Sequence, residues 1–159
     1  MKKIFILIIC LMAFKSATAQ SVELKINPIF MPFNLWQINA EFLLNDDIGI
    51  EPGVIFAPEG EGAIFSVLGK YYFAPDKGND KFHIGMFFNY LADDGTDDGP
   101  GLGFYVGYKW LSKRKITFEI GGGLGRNFGN SKNDDSQITG LGQLSVGYRF
   151  NSAKKKAAM

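Results

Sequence analysis

Past its first twenty residues this chain has no cysteine, no long apolar run and a single histidine, and each absence removes a class of explanation. The one cysteine, Cys10, lies in the N-terminal apolar stretch. Once that stretch is removed no disulfide can staple the fold and no thiolate can act as nucleophile or metal ligand. Without a run of ~20 apolar residues there is no candidate transmembrane helix. Charge of one sign is missing too: the formal net charge is +1. It becomes −2 when Lys2, Lys3 and Lys15 leave with the N-terminal segment. That leaves no basic stripe able to track phosphates, so nucleic acid is not an expected partner.

The N-terminal segment reads as a secretory signal. Lys2 and Lys3 open it, an apolar stretch comes next, and Ala17-Thr18-Ala19 offers a small-residue cleavage site. The expected division is therefore residues 1–19 as signal, 20–150 as one domain and 151–159 as a basic tail.

What the domain does have is aromatics, glycine and alternation at period two, the mark of strands whose faces differ. In residues 81–91, Phe82, Ile84, Met86, Phe88 and Tyr90 form one face. Lys81, His83, Gly85, Phe87 and Asn89 form the other. Residues 101–110 repeat the rhythm, and so do 34–44. With 22–30, 48–57, 63–73, 116–126 and 138–150 the expectation is about eight strands, each near the ~9–11 residues of a tilted membrane-crossing strand. Short connections at 45–47, 74–80 and 112–115 alternate with longer polar ones at 91–100 and 127–136. Outer-membrane barrels make periplasmic turns short and external loops long, which puts both termini in the periplasm. The expected fold is all-β: a closed antiparallel up-and-down transmembrane β-barrel.

A soluble, lipocalin-like barrel also alternates, but it turns its apolar face inward. Its outer face should then be dotted with Lys and Glu. Here the polar face carries only one or two charges per strand and is otherwise largely Gly, Ser, Thr, Asn or Gln, while the apolar face carries aromatics too large for a small lumen. This distribution favours the membrane.

Leu24-Lys25-Ile26-Asn27-Pro28, Gly107-Tyr108-Lys109-Trp110 and Gly147-Tyr148-Arg149-Phe150 resemble strands of the small outer-membrane β-barrel family typified by the transmembrane domain of outer-membrane protein A. The likeness is closer still to uncharacterised single-barrel proteins of Gram-negative bacteria. The resemblance implies location in the cell outer membrane, contact with its lipids including lipopolysaccharide, and insertion by the barrel assembly machinery. Tyr148 and Phe150 are then the candidate assembly signal, although residues 151–159 come after them. Pro28 and Pro52 fall on the apolar face, where a bulge or strand end is expected at each.

Glu23, Glu41, Glu51 and Glu119 face Lys25, Lys70, Lys81, Lys109 and Arg149 across the polar side, the composition of an interior charge ladder in a lumen too narrow for bulk water. Gly121, Gly123 and Gly125 leave room for inward neighbours such as Tyr105. Asp93, Asp94, Asp97 and Asp98 form a loop cluster that could hold a divalent cation weakly or bridge to lipopolysaccharide. Arg126 is the one charge on the outer face. His83 would be the acid–base group of a lipid-A-modifying hydrolase, but no serine follows it closely. No catalytic residue, metal ligand or cofactor is assigned. The expected role is structural and interfacial, with a narrow channel second and an envelope lipid enzyme third. An unknown extracellular ligand is left open.

Overall fold

A computed structural model describes residues 21–58, 62–93, 99–128 and 138–151. The N-terminal segment with Cys10, expected to be a signal, the loop residues Asp94, Asp97 and Asp98, and the tail from residue 152 lie outside the described residues. Eight strands run in order: β1 (Ser21–Ile26), β2 (Trp36–Leu43), β3 (Ile48–Phe56), β4 (Gly62–Tyr72), β5 (Lys81–Asp93), β6 (Gly101–Leu111), β7 (Ile116–Asn127) and β8 (Ile138–Asn151). Each pairs antiparallel with its neighbours in the chain, and β8 pairs with β1 to close the barrel. The all-β, up-and-down expectation holds. No described helix is long and apolar enough to cross a membrane, which does not bear on strands.

The register fixes the shape. Val22 pairs with Phe150 on one side; stepping the other way through Phe42, Ile50, Gly69, Met86, Phe104 and Leu124 arrives at Gly140, a stagger of ten residues along β8. For eight strands with a rise of ~3.3 Å and a spacing of ~4.8 Å, that stagger tilts them about 40° from the axis. The same numbers give a backbone radius of about 8 Å, a lumen that side chains can fill.

Side chains alternate across this wall without slippage. Along β6, residues from Gly101 to Trp110 are buried and exposed by turns. Inward positions collect the polar residues, and outward positions the large apolar ones, Met86 (51% exposed) and Leu124 (73%) among them. At the end that holds the short turns with Ser21 and Asn151, here the lower end, Tyr71, Phe73, Phe82, Tyr108, Trp110, Phe118, Tyr148 and Phe150 all face outward. Several of these rings touch edge-on or tilted, at centroid distances of 4.6–5.7 Å. Trp36, Phe65, Phe88 and Tyr90 stand outward towards the upper end.

Two expectations are corrected. The first strand does not run to residue 30: it ends at Ile26, and Asn27 caps a 3-10 segment, Pro28–Phe33, by accepting the Ile29 N–H. Pro28 sits in its first turn, where the missing N–H costs nothing. Pro52 produces neither bulge nor strand end. Pairing of β3 with β4 runs unbroken through it. On the β2 side the ladder lapses between Asn39↔Gly53 and Phe42↔Ile50 and resumes in the same register.

The strand glycines act through space rather than dihedral freedom. A Cβ on Gly103 would lie 2.5 Å from the Leu124 carbonyl oxygen and 2.5 Å from the Phe87 ring; one on Gly142 would meet nothing within 4 Å. Gly103→Val is therefore expected to lose about 1–3 kcal/mol or more in equilibrium unfolding, because the clash is with backbone. Gly142→Val should lose far less. Equal losses would show that inward close packing does not set the wall.

A buried ionic cluster as the candidate functional site

Seven of the eight strands, all but β5, contribute charged groups to one cluster in the lower half of the lumen. Alternation turns every second residue inward, and the stagger brings inward residues from distant strands to one height. Lys25 of β1 is at the centre. Its Nζ donates to Glu41, to Glu51 Oε2 at 2.7 Å and to Glu119 Oε2 at 2.6 Å, with Glu23 Oε2 3.5 Å away. Lys70 of β4 donates to Glu119 and, at 2.6 Å, to Glu51. Lys109 of β6 reaches Glu23 at 3.1 Å and Glu41 at 2.7 Å, and lies 4.6 Å over the Tyr72 ring. The Tyr72 hydroxyl donates to Glu41. Arg149 of β8 donates from Nε to Glu23 Oε1 at 2.6 Å. All of these groups are buried.

Four carboxylates thus face four cations, so the cluster is neutral. Burial of ions at this density is tolerated only when each is paired and hydrogen-bonded. Asn39 adds a donor to Glu51 Oε1 at 2.8 Å, and Gln143 adds another at 2.8 Å while accepting from the Tyr105 hydroxyl at 3.1 Å. Oxygens of Glu41, Glu51 and Glu119 lie within 4.8 Å of one another, a spacing that could hold a metal ion. The ammonium groups of Lys25 and Lys70 already supply the cations that this triad needs.

Lys81 departs from the sequence expectation. It is on the inward parity but at the lower rim, its side chain 37% exposed, and it pairs with Asp76 at 2.7 Å instead of joining the cluster. Arg149 closes the same end by donating to the carbonyls of Gly78 at 2.6 Å and Asn79 at 3.0 Å, which pins the turn at 74–80 across the mouth.

His83 is fully buried between Tyr72 and Tyr105, ring centroids 4.8 and 5.8 Å away. Its Nε2 lies 3.2 Å from Glu119 Oε1 without the alignment of a hydrogen bond. The residue opposite His83 is Tyr72, and Ser66 lies six positions further along β4, about 20 Å. No nucleophile–base pair forms there.

Above the ions, Leu68, Phe87, Tyr105 and Leu141 form an apolar layer across the lumen. Over it is a cavity of about 170 Å³ lined by Ile55, Ile64, Leu91 and Leu141 together with Asn89 and Asn127. Sequence reasoning missed both, because these apolar inward residues come singly from separate strands and no stretch of sequence displays them as a group. Of the remaining candidates, Gly121 and Gly123 stand beside the Tyr105 hydroxyl and the Phe87 ring, and Gly125 beside the Leu102 carbonyl. Tyr148 and Phe150 face outward with rings 4.9 Å apart, and Arg126 is exposed on the outer face. Asp93 ends β5.

The fold and its interior define a class: a closed eight-stranded antiparallel barrel whose lumen holds a neutral ionic plug below an apolar layer. No protein-family model matches the chain, and no curated protein matches it.

Proposed function

We propose that this chain is a transmembrane β-barrel of a bacterial outer membrane, similar in type to the transmembrane domain of outer-membrane protein A, with a structural and interfacial role rather than a transporting one. The observation that carries the reading is the inside-out distribution: charges are buried and aromatic and aliphatic side chains are exposed around the whole circumference. Soluble monomers rarely expose apolar patches beyond a few hundred Å². On β5 the outward run from Phe82 to Tyr90 rises about 20 Å along a tilted strand, close to the ~25 Å apolar band of such barrels. The lower aromatic belt matches an interfacial girdle, and the short turns at that end support a periplasmic side for it. Lipids including lipopolysaccharide are then the immediate partners. Tyr148 and Phe150 are offered to the assembly machinery, and Arg126 stands at the height of lipid headgroups.

The lumen supports a structural role over a channel. Neutral ion pairs and an apolar layer stacked in one narrow bore leave no wet path, so planar-bilayer recordings of the refolded protein are expected to stay closed. Steady conductance at matched protein content would overturn the plugged reading and favour the channel.

A further inference from the structure

Strand pairing between β1 and β8 is confined to the lower half of the wall. β8 begins at Ile138, but β1 pairs with it only from Ser21–Ile26, opposite residues 146–151. On the β1 side, residues 138–145 of β8 have no strand partner among the described residues. The segment that stands where β1 would continue is the 3-10 turn Pro28–Phe33. It contains two prolines, buries none of its residues and leaves Phe33 72% exposed. Thr139, Gly140 and Leu141 of this unpaired stretch line the upper cavity, and Gly140 and Gly142 leave the outer side of the same stretch bare. Outside, a shallow apolar groove bounded by Phe104, Val106 and Leu124 runs over those glycines to the seam.

We propose that this seam admits one acyl chain of an outer-leaflet lipid, carrying a hydroxyl near its head, from the bilayer into the upper lumen. The inference rests on the membrane reading. Three observations choose the occupant. The cavity behind the seam is walled by Ile55, Ile64, Leu91 and Leu141, which suit methylenes, and Leu141 joins it to the apolar layer of Leu68, Phe87 and Tyr105. Its volume of about 170 Å³ fits part of one chain rather than a folded segment. Its polar side chains are Asn89 and Thr139, which bond to each other, and Asn127, whose Oδ1 is buried with no donor among the described residues; a lipid hydroxyl supplies one. An unpaired backbone edge facing hydrocarbon is costly, and the same hydroxyl can bond to it where a bare alkyl chain cannot.

The test uses the full-length mature protein, methyl-labelled at Ile and Leu, in bicelles of deuterated lipid with protonated 3-hydroxymyristate as probe. Cross-relaxation from the probe chain is expected at the outward methyls of Leu124 and Leu144 and also at the inward methyls of Ile55, Ile64 and Leu141. Signals at the outward set alone would overturn the seam while leaving the membrane reading intact; signals at neither set would overturn both. Leu91→Trp, which fills the cavity, should abolish the inward signals and spare the outward ones, and their persistence would contradict the assignment. The hydroxylated probe should bind roughly three- to tenfold more tightly than myristate, the worth of one neutral hydrogen bond. Asn127→Leu should remove that preference. Equal binding of the two probes to the wild type would overturn the role of the hydroxyl.

Discussion

Replacing Lys25 by methionine is expected to cost about 3–5 kcal/mol of unfolding free energy, the penalty of leaving buried charge uncompensated. Lys25 Nζ is bonded to Glu41, Glu51 and Glu119 and close to Glu23. Its removal leaves four carboxylates sharing Lys70, Lys109 and Arg149. Methionine keeps much of the volume, so the loss is one of charge rather than of packing. Adding Glu119→Gln restores neutrality, and the double variant should be more stable than Lys25→Met alone. Such non-additivity is the signature of groups in one network. Reversible urea unfolding from liposomes measures all three proteins. A loss below about 1 kcal/mol for the single variant, or additive losses in the double, would mean that water reaches these groups and the plug is not closed.

On the outer face the large effect has the opposite chemistry. Met86→Arg should destabilise by ~2–4 kcal/mol, because the position faces outward near mid-height and, on the proposed membrane reading, an arginine there enters hydrocarbon. The comparison is Asn89→Ser, inward on the same strand, which gives up only the 2.8 Å bond to Thr139 and should cost ~0.5–1.5 kcal/mol. If Asn89→Ser proved the worse of the two, the outer face would not be in lipid.

The face of each residue was legible in the sequence, because period-two alternation is a local property. Phe82 to Tyr90 and Leu102 to Trp110 display it without help from the fold. That Glu23, Lys25, Glu41, Glu51, Lys70, Lys109, Glu119 and Arg149 share an interior comes from the same parity. Which carboxylate meets which ammonium does not, because that depends on the ten-residue stagger accumulated over eight register choices. Lys81 shows the limit: parity set its face but not its height, and at the rim Asp76 of a turn becomes its partner. Pro28 marked a disturbance, yet how much of β1 it removes depends on Asn27 capping a 3-10 turn, a contest between local structures that composition does not settle. Pro52 was misjudged because only one of its two neighbouring strands requires its absent N–H. The apolar layer of Leu68, Phe87, Tyr105 and Leu141 was invisible for the reason that the ion pairs were: residues far apart in sequence meet only after closure.

The central claim is that the apolar side of this barrel faces lipid, and the most direct measurement is refolding of the urea-unfolded mature chain with and without liposomes. Circular dichroism tracks the β-structure, and detergent gels compare boiled with unboiled samples. With liposomes the account predicts strand content together with a folded band that changes mobility on heating, since a closed barrel pairs its strands within itself and resists detergent until heated. Without lipid or detergent it predicts aggregation. A stable, monomeric, fully folded barrel in plain buffer would contradict it.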